Sequence, residues 1–197
     1  NENAVINYFD RKATKYEAAS QSWPWSKIRK SEAAAISRMM GDVSGRSLID
    51  LGAGSGYYTR IFQSLGAVDI VAVDISAEML AEIPPGIRTH VADITKIKLD
   101  ETFKLILCAG ALEFVANPAA VFRAARSLAS HGSRMVVLAP DDNPIGHIYK
   151  FFHRTHGLTL NLFRPDTIRQ MAELAGWRVE CIERVRPFSV IGCMSVR

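Results

Sequence analysis

The stretch from Leu48 to Tyr58 constrains the fold most, because an apolar strand pattern runs directly into a turn with three glycines. Gly52, Gly54 and Gly56 allow the backbone to pass close beneath a ligand, where a Cβ would obstruct it. Asp50 places a carboxylate at the mouth of this turn, and a carboxylate suits a cationic ligand better than a pyrophosphate. The pattern predicts a strand, a tight turn and a helix that together bind a ligand.

Short apolar runs alternate with helical patterns along most of the chain, and this alternation predicts an α/β fold. The runs are apolar throughout, which indicates strands buried on both faces of a parallel, doubly wound sheet. A helix is predicted at Ser31–Met40, with Ser31 as its N-cap. The predicted strands are Arg46–Leu51, Asp69–Val73, Thr89–Ala92, Phe103–Cys108, Arg134–Ala139, Trp177–Val185 and Ser189–Val196.

The composition is typical of one globular domain, with 197 residues of which 48% are hydrophobic and 22% charged. No apolar run reaches the roughly 20 residues of a membrane span, and the first residues lack the pattern of a secretory signal. Cys108, Cys181 and Cys193 form no CxxC pair, which predicts buried free thiols and a cytoplasmic location. The net charge of +4 is low for an obligate nucleic-acid binder, but it suits anionic substrates or weak attraction to an anionic membrane surface.

Two other nucleotide-binding patterns come close to the glycine turn without matching it. The dinucleotide fingerprint G-x-G-x-x-G needs a third glycine where this chain has Tyr57. A P-loop needs a Gly-Lys-Ser/Thr sequence, which is absent from the turn. Asp74 lies 18 positions beyond Gly56, a spacing that suits a carboxylate bound to ribose hydroxyls. That spacing does not separate NAD from another adenosine ligand, so an NAD-type oxidoreductase is an alternative.

Four segments, taken in order, resemble the motifs of class I S-adenosylmethionine-dependent methyltransferases. Leu48–Gly56 resembles motif I, and Val73–Ser76, Val91–Ile94 and Ala109–Val115 resemble the next three motifs. The resemblance covers roughly residues 31–139, and the tail matches the antiparallel strand pair that closes the family's sheet. It implies a Rossmann-like, seven-stranded, mostly parallel sheet with S-adenosylmethionine as cofactor and S-adenosylhomocysteine as product.

The resemblance also assigns roles to three carboxylates at strand ends. Asp50 would help to hold the cationic ammonium group of the cofactor, partly through water. Asp74 would accept from both ribose hydroxyls, and Asp93 would accept from the adenine amine. The residue types alone leave another interpretation of Asp93, which could be a loop or cap carboxylate.

The remaining cofactor site is implied in the same way. The glycine turn would run beneath the methionine portion and the ribose, two isoleucines would lie against the adenine ring, and the fourth motif would approach the methionine portion. Tyr16, in a segment that resembles the lid helix of quinone- and magnesium-protoporphyrin-methylating enzymes, could reach the cofactor carboxylate. An amphipathic helix packed on the core is the alternative for that segment. The other implied cofactor residues are Gly52, Ala53, Gly54, Gly56, Ile75, Ile94, Ala109 and Gly110.

The chain is predicted to form one methyltransferase domain over residues 1–197, divided into four segments. Residues 1–30 form an N-terminal lid or substrate segment, and residues 31–139 form the cofactor-binding core. Residues 140–163 form an insertion on the substrate side. Residues 164–197 form a closing helix and strand pair.

Three histidines in the insertion are candidates for a general base, because the pKa of histidine suits proton transfer near neutrality. They are His147, His153 and His156. His156 precedes a glycine and could instead cap helix carbonyls, and the other two could be surface or core residues. Glu113 is a further candidate base that fits equally well as a loop residue. No acidic residue stands at ligand spacing from the histidines, so no metal site is predicted.

The acceptor is predicted to be a small molecule. The fourth motif lacks the Asn/Asp-Pro-Pro-aromatic turn of enzymes that methylate nucleobase amines, so a nucleic-acid acceptor is disfavoured. Protein methylation and a cofactor-binding regulatory module without turnover are alternatives. Apolar residues mixed with Lys150, Arg154 and Arg164 suit an apolar or anionic acceptor such as a quinone, a porphyrin or a lipid. The same mixture suits an interfacial helix, and the oligomeric state is left open.

Overall fold

A computed structural model describes residues 2–11 and 25–196, and its centre is a seven-stranded sheet in the order β3-β2-β1-β4-β5-β7-β6. The strands are β1 Ser47–Leu51, β2 Val68–Asp74, β3 Arg88–Val91, β4 Phe103–Ala109, β5 Ala129–Pro140, β6 Arg178–Val185 and β7 Ser189–Ser195. The helices described are α1 Glu2–Asp10, α2 Trp25–Met40, α3 Tyr57–Ser64, α4 Ala77–Ala81, α5 Pro118–Ser127, α6 Pro144–Thr155 and α7 Pro165–Leu174, with a 3₁₀ turn at Leu112–Phe114.

The sheet confirms the predicted doubly wound architecture with an antiparallel closing pair. Strands β3, β2, β1, β4 and β5 are parallel, whereas β7 lies antiparallel between β5 and β6. The chain crosses from β1 first outward to β2 and β3, and then back to β4 on the other side of β1. Ligands bind at such a switch point, beyond the carboxyl ends of the strands.

The central strands are buried on both faces, as their apolar sequences predict. Ile49 belongs to the core on one face of the sheet together with Ile106, whereas Leu48 belongs to the core on the other face together with Leu105. Successive side chains of a strand point to opposite faces, so each strand contributes to both cores. Trp177, which lies just before β6, is buried and donates its Nε1–H to the carbonyl of Phe122 in α5 at 3.0 Å.

The prediction of two-sided burial is wrong for the outer strand β3, in which all four residues are exposed. This strand is at the edge of the sheet and pairs only with β2. The predicted burial of all three cysteines is wrong for Cys181, which is exposed on the other edge strand, β6. Edge strands have a neighbour on one side only, so apolar composition alone overstates their burial.

The start of α2 differs from the prediction in a way that changes the functional site. The helix begins at Trp25, and Ser31 is therefore an exposed residue inside it and not its N-cap. The sequence pattern predicts a helix only for the alanine- and isoleucine-rich part. The six additional residues bring Arg29 into the helix, and Arg29 lines the cavity described below.

Among the described residues, no helix combines the length and apolar content needed to cross a membrane.

Candidate functional site

A cavity of about 1490 Å³ opens at the carboxyl ends of β1, β2 and β4 and continues beneath α1, α2 and α6. We call the part formed by the strand-end turns the loop side, and its main residues are Gly52, Ala53, Gly54, Ser55, Asp74, Ile75, Ala92, Asp93, Ile94, Ala109 and Gly110. We call the part formed by helices and aromatic rings the aromatic side, and its main residues are Val5, Tyr8, Phe9, Arg29, Glu32, Glu113, Phe114, Tyr149, Phe152, His153 and Phe188.

The glycine turn after β1 is held tightly against its neighbours. The N–H groups of Gly52 and Ala53 both donate to the carbonyl of Val73, at 2.8 and 2.9 Å. Gly52 has a φ of +79°, and a Cβ at this position would overlap the Cβ of Ala111 in the turn after β4. Gly52 is therefore required by the contact between two turns of the protein itself, in addition to any ligand.

Gly56 does not line the cavity, unlike the other residues of the turn that were predicted to bind the cofactor. It precedes α3 with a φ of 83°, in the left-handed region that favours glycine. A Cβ at Gly56 would lie 3.0 Å from Ile83 Cγ1. The structure thus gives Gly56 a role in starting the helix.

Asp74 connects the end of β2 to the glycine turn. Its carboxylate accepts from the Gly54 N–H at 2.8 Å and from the Ser76 N–H at 3.0 Å. Burial raises the pKa of Asp74 above its usual value, although these N–H groups oppose that shift. Asp74 lines the cavity, and Ser76 beside it donates from its hydroxyl to Asp10 of α1 at 2.5 Å.

Asp50 lies behind the turn and is not among the residues that line the cavity. It is buried and accepts a hydrogen bond from the Thr59 hydroxyl at 2.6 Å, which joins β1 to α3. Burial raises the pKa of Asp50 to about 7, and the neighbouring charge of Asp74 adds to this shift. The role of Asp50 towards the ammonium group of the cofactor stays a prediction, and a contact through water is compatible with this position.

Asp93 follows β3 and lines the cavity next to Ile94. Its Oδ1 accepts from the N–H and the hydroxyl of Thr95 at 2.8 and 2.7 Å, and its Oδ2 lies 3.0 Å from Lys96 Nζ. Burial opposes ionisation of Asp93, but these hydrogen bonds outweigh it and lower the pKa. Asp93 therefore has the contacts of a loop carboxylate at a position that also faces the cavity.

Only one of the three candidate histidines lines the cavity. His153 is buried, with its ring centroid 4.5 Å from that of Tyr149 and 6.0 Å from that of Phe114. His147 is exposed and pairs with Asp142 at 2.9 Å. His156 donates from Nδ1 to the Phe152 carbonyl at 2.9 Å at the end of α6, as expected for a residue that caps helix carbonyls.

Two buried carboxyl groups line the aromatic side of the cavity. Burial raises the pKa of Glu113 to about 8, and no described residue forms a hydrogen bond with its Oε2. Glu32 of α2 accepts hydrogen bonds from the hydroxyls of Ser189 and Tyr58. Burial also raises the pKa of Glu32. Burial thus shifts both groups towards their neutral forms, and both add hydrogen-bonding capacity to an apolar cavity.

Arg29 supplies a positive charge on the aromatic side, close to the glycine turn. Its guanidinium carbon lies 4.2 Å from the centroid of the Tyr57 ring, a cation–π contact. Tyr57 follows the glycine turn directly, so Arg29 is held near that turn. Tyr16, which was predicted to reach the cofactor carboxylate, lies outside the described residues.

The comparison with known families decides the class of the protein. A family model described as a methyltransferase domain matches residues 25–182. The chain belongs to this family. This methyltransferase has the fold and the ordered motifs of the class I S-adenosylmethionine-dependent enzymes, which confirms the prediction made from the four motifs.

Individual relatives of this methyltransferase are distant. The ubiquinone biosynthesis O-methyltransferase of Pseudomonas aeruginosa is 23% identical over 157 residues, which cover 71% of this chain and 68% of that protein. The magnesium protoporphyrin IX methyltransferase of Synechocystis, solved with bound SAH, has a TM-score of 0.79 at 16% identity and full coverage of both chains. An S-adenosylmethionine-dependent methyltransferase of Mesorhizobium loti has a TM-score of 0.71 at 20% identity, covering 87% of this chain and 96% of that one.

Sequence reasoning located the loop side of the site and missed much of the aromatic side. Arg29 was missed because the start of α2 was placed six residues too late. Glu32 was missed because its partner Ser189 is 157 positions away, a contact that no local pattern indicates. Phe188, which stacks on Tyr149 at 5.1 Å between ring centroids, was missed for the same reason.

Proposed function

We propose that the protein transfers a methyl group from S-adenosylmethionine to a small apolar acceptor. The observation that supports this most directly is that the loop side and the aromatic side belong to one continuous cavity. Its volume of about 1490 Å³ exceeds the roughly 300–1,000 Å³ typical of a site for one ligand. Two reactants therefore have room to meet in it.

The residues of the loop side fit S-adenosylmethionine. The turn at Gly52–Gly54 has no side chain larger than the methyl group of Ala53, so a ligand can lie close to its backbone, and Asp74 presents a carboxylate at the adjacent strand end, where ribose hydroxyls would bind. Arg29 is positioned to attract the cofactor carboxylate, while Ile75 and Ile94 offer apolar contact for the adenine. When bound, the cofactor supplies an electrophilic methyl group on a sulfonium.

The aromatic side supports an apolar acceptor more than an anionic one. Its rings come from four separate parts of the chain, among them Tyr8, Phe114, Tyr149 and Phe188. The three cations that suggested an anionic acceptor, Lys150, Arg154 and Arg164, do not line the cavity. Arg164 pairs with Asp142 instead, at 2.7 Å. The names of the ubiquinone and protoporphyrin methyltransferases agree with a ring compound as acceptor.

Within this proposal, the protein acts mainly by holding the acceptor and excluding water. Proximity and orientation can lower a barrier by about 7–11 kcal/mol, and the buried aromatic side provides both. An acceptor that loses a proton also needs a general base, which typically raises the reaction rate by a further factor of about 10²–10⁴. We assign that role to His153, because it alone of the three candidate histidines lines the cavity. Glu113 is mainly neutral near pH 7, given its pKa of about 8.

Calorimetry tests the cofactor half of this proposal. We expect S-adenosylmethionine and S-adenosylhomocysteine to bind and NAD not to bind. Asp74→Asn keeps an acceptor for the Gly54 N–H but removes the charge, and we expect at least tenfold weaker binding. Asp69→Asn, at an exposed position of the same strand, is the matched control. Binding of NAD without S-adenosylmethionine would refute the cofactor assignment.

Transfer of a radiolabelled methyl group into a cell extract tests the acceptor half. We expect the label in the fraction that dissolves in organic solvent, since the acceptor is small and apolar. Label in precipitated protein or nucleic acid would favour the macromolecular alternatives and contradict this part of the proposal. Binding of the cofactor with no transfer to any fraction would favour a regulatory module.

A further inference from the structure

Helix α6 exposes an apolar surface that extends from the rim of the cavity to residues outside it. Four large side chains of this helix are exposed, with Ile148 at 68%, Phe151 at 67%, Phe152 at 51% and Ile145 at 45% of their area. Positions 145, 148 and 152 are spaced three and four apart, so they lie on one face of the helix, and Phe151 is beside them. Contiguous apolar surface of this kind marks an interaction site.

The charges of α6 indicate the chemistry of its partner. The helix contains Lys150, Arg154 and two histidines, and it contains no acidic residue. Arg154 is exposed, and neither Lys150 nor Arg154 lines the cavity. Apolar side chains flanked by cations are typical of helices that lie in the interface of an anionic membrane.

We propose that α6 docks the protein on an anionic lipid surface. Ile148 and Phe151 would enter the boundary between headgroups and acyl chains, and Lys150 and Arg154 would face lipid phosphates. Docking of a second copy through α6 fits less well, because the same helix of the other copy contains no acidic residue to pair with Lys150 and Arg154. A lipid surface supplies the opposite charge to these side chains.

The apolar surface of α6 adjoins the cavity. Ile145, Ile148 and Phe152 also line the cavity, so docking places an opening of the cavity at the membrane. An apolar acceptor could then pass between the lipid and the aromatic side without crossing water. This consequence rests on the proposed function, whereas the docking itself does not.

Vesicle sedimentation tests the docking with no methyl donor present. The probes are vesicles of phosphatidylcholine alone and vesicles of phosphatidylcholine mixed with phosphatidylglycerol. The test variant is Phe151→Ser, because Phe151 does not line the cavity. The matched control is Leu174→Ser, which changes an apolar side chain that is 80% exposed on α7. Arg154→Gln tests the contribution of charge.

We expect the wild-type protein to bind the mixed vesicles more strongly than phosphatidylcholine alone. Phe151→Ser should weaken binding by about tenfold, the effect of leaving one large apolar side chain in water. Arg154→Gln should weaken binding to the mixed vesicles by about fivefold, and Leu174→Ser should leave it unchanged. Unchanged thermal unfolding and cofactor affinity of Phe151→Ser will show that the fold and the loop side are intact.

Three results would overturn the proposal. The first is the absence of wild-type binding to the mixed vesicles. The second is equal binding by the wild type and Phe151→Ser, or an equal loss in Leu174→Ser. The third is a wild-type dimer in sedimentation velocity that Phe151→Ser converts to a monomer, since the surface would then join two copies. None of these results depends on methyl transfer, so docking and proposed function can fail separately.

Discussion

Substitution of Gly52 by alanine should destabilise the protein through two effects that can be separated. The first is the left-handed backbone conformation, with a φ of +79°, which costs an L-residue about 1–2 kcal/mol. The second is overlap of the new Cβ with the Cβ of Ala111, for which overpacking costs of about 1–3 kcal/mol are typical. The expected loss in the free energy of unfolding is therefore roughly 2–5 kcal/mol.

Gly110→Ala provides the matched control for the backbone effect. Gly110 has a φ of +73°, but a Cβ there would meet nothing within 4 Å. We therefore expect Gly110→Ala to lose only about 1–2 kcal/mol. The difference between the two variants measures the overlap with Ala111.

A double-mutant cycle with Ala111→Gly then tests the overlap directly. Without the Ala111 side chain, the nearest atoms to a Cβ at position 52 are Ala111 Cα at 3.7 Å and Ile94 Cδ1 at 3.9 Å, which is ordinary contact. Urea unfolding should show that Ala111→Gly restores about 1–3 kcal/mol to Gly52→Ala, as a coupling energy. Equal losses in Gly52→Ala and Gly110→Ala, or no coupling in the cycle, would refute the steric argument.

Three further perturbations test other features of the molecule. The pKa of Asp50 is about 7 in the folded protein, against 3.8 for an ordinary aspartate. Between about pH 4 and 7 the folded state therefore retains a proton that the unfolded state has released. The free energy of unfolding consequently falls as the pH rises through this range. Asp50→Asn can still accept from Thr59, and thermal unfolding should show that it makes this slope shallower and stabilises the protein above pH 7 by up to about 4 kcal/mol; an unchanged slope would contradict the assignment. His153→Gln should lower methyl transfer by about 10²–10⁴-fold with unchanged cofactor affinity in calorimetry, whereas His147→Gln at the exposed position should have no effect; equal activity of both variants would exclude His153 as the base. Trp177→Phe should cost about 0.5–1.5 kcal/mol in urea unfolding, because the hydrogen bond from the buried indole to the Phe122 carbonyl is lost, and an unchanged midpoint would show that this hydrogen bond contributes little.

The sheet could be predicted from the sequence because its central strands are apolar throughout. The predicted and observed ends of β1 agree at Leu51, and those of β2 differ by one residue, at Val73 and Asp74. The exposure of β3 agrees with its position at the edge of the sheet and with its residues, of which only Val91 is apolar. An apolar run indicates a strand, but the order of strands depends on contacts between distant parts of the chain.

The two sides of the cavity differ in how far the sequence predicts them, and the reason is the range of their contacts. The loop side is built from turns that directly follow strands, so Asp74 and the glycine turn could be assigned from local patterns. The aromatic side depends on packing between α1, α2, α6 and the Phe188–Ser189 segment. The hydrogen bond from Thr59 to Asp50 joins β1 to α3 and could not be assigned from the motif alone.

Helix α1 is in contact with both sides of the cavity, which links the access of the two reactants. Asp10 accepts from Ser76 beside the carboxylate predicted to bind ribose, while the Tyr8 ring lies 5.8 Å from that of His153. These two residues are separated by less than one turn of the helix. A displacement of α1 would therefore break a contact on the loop side and a contact on the aromatic side at the same time, so we expect access to the two sides to be coupled.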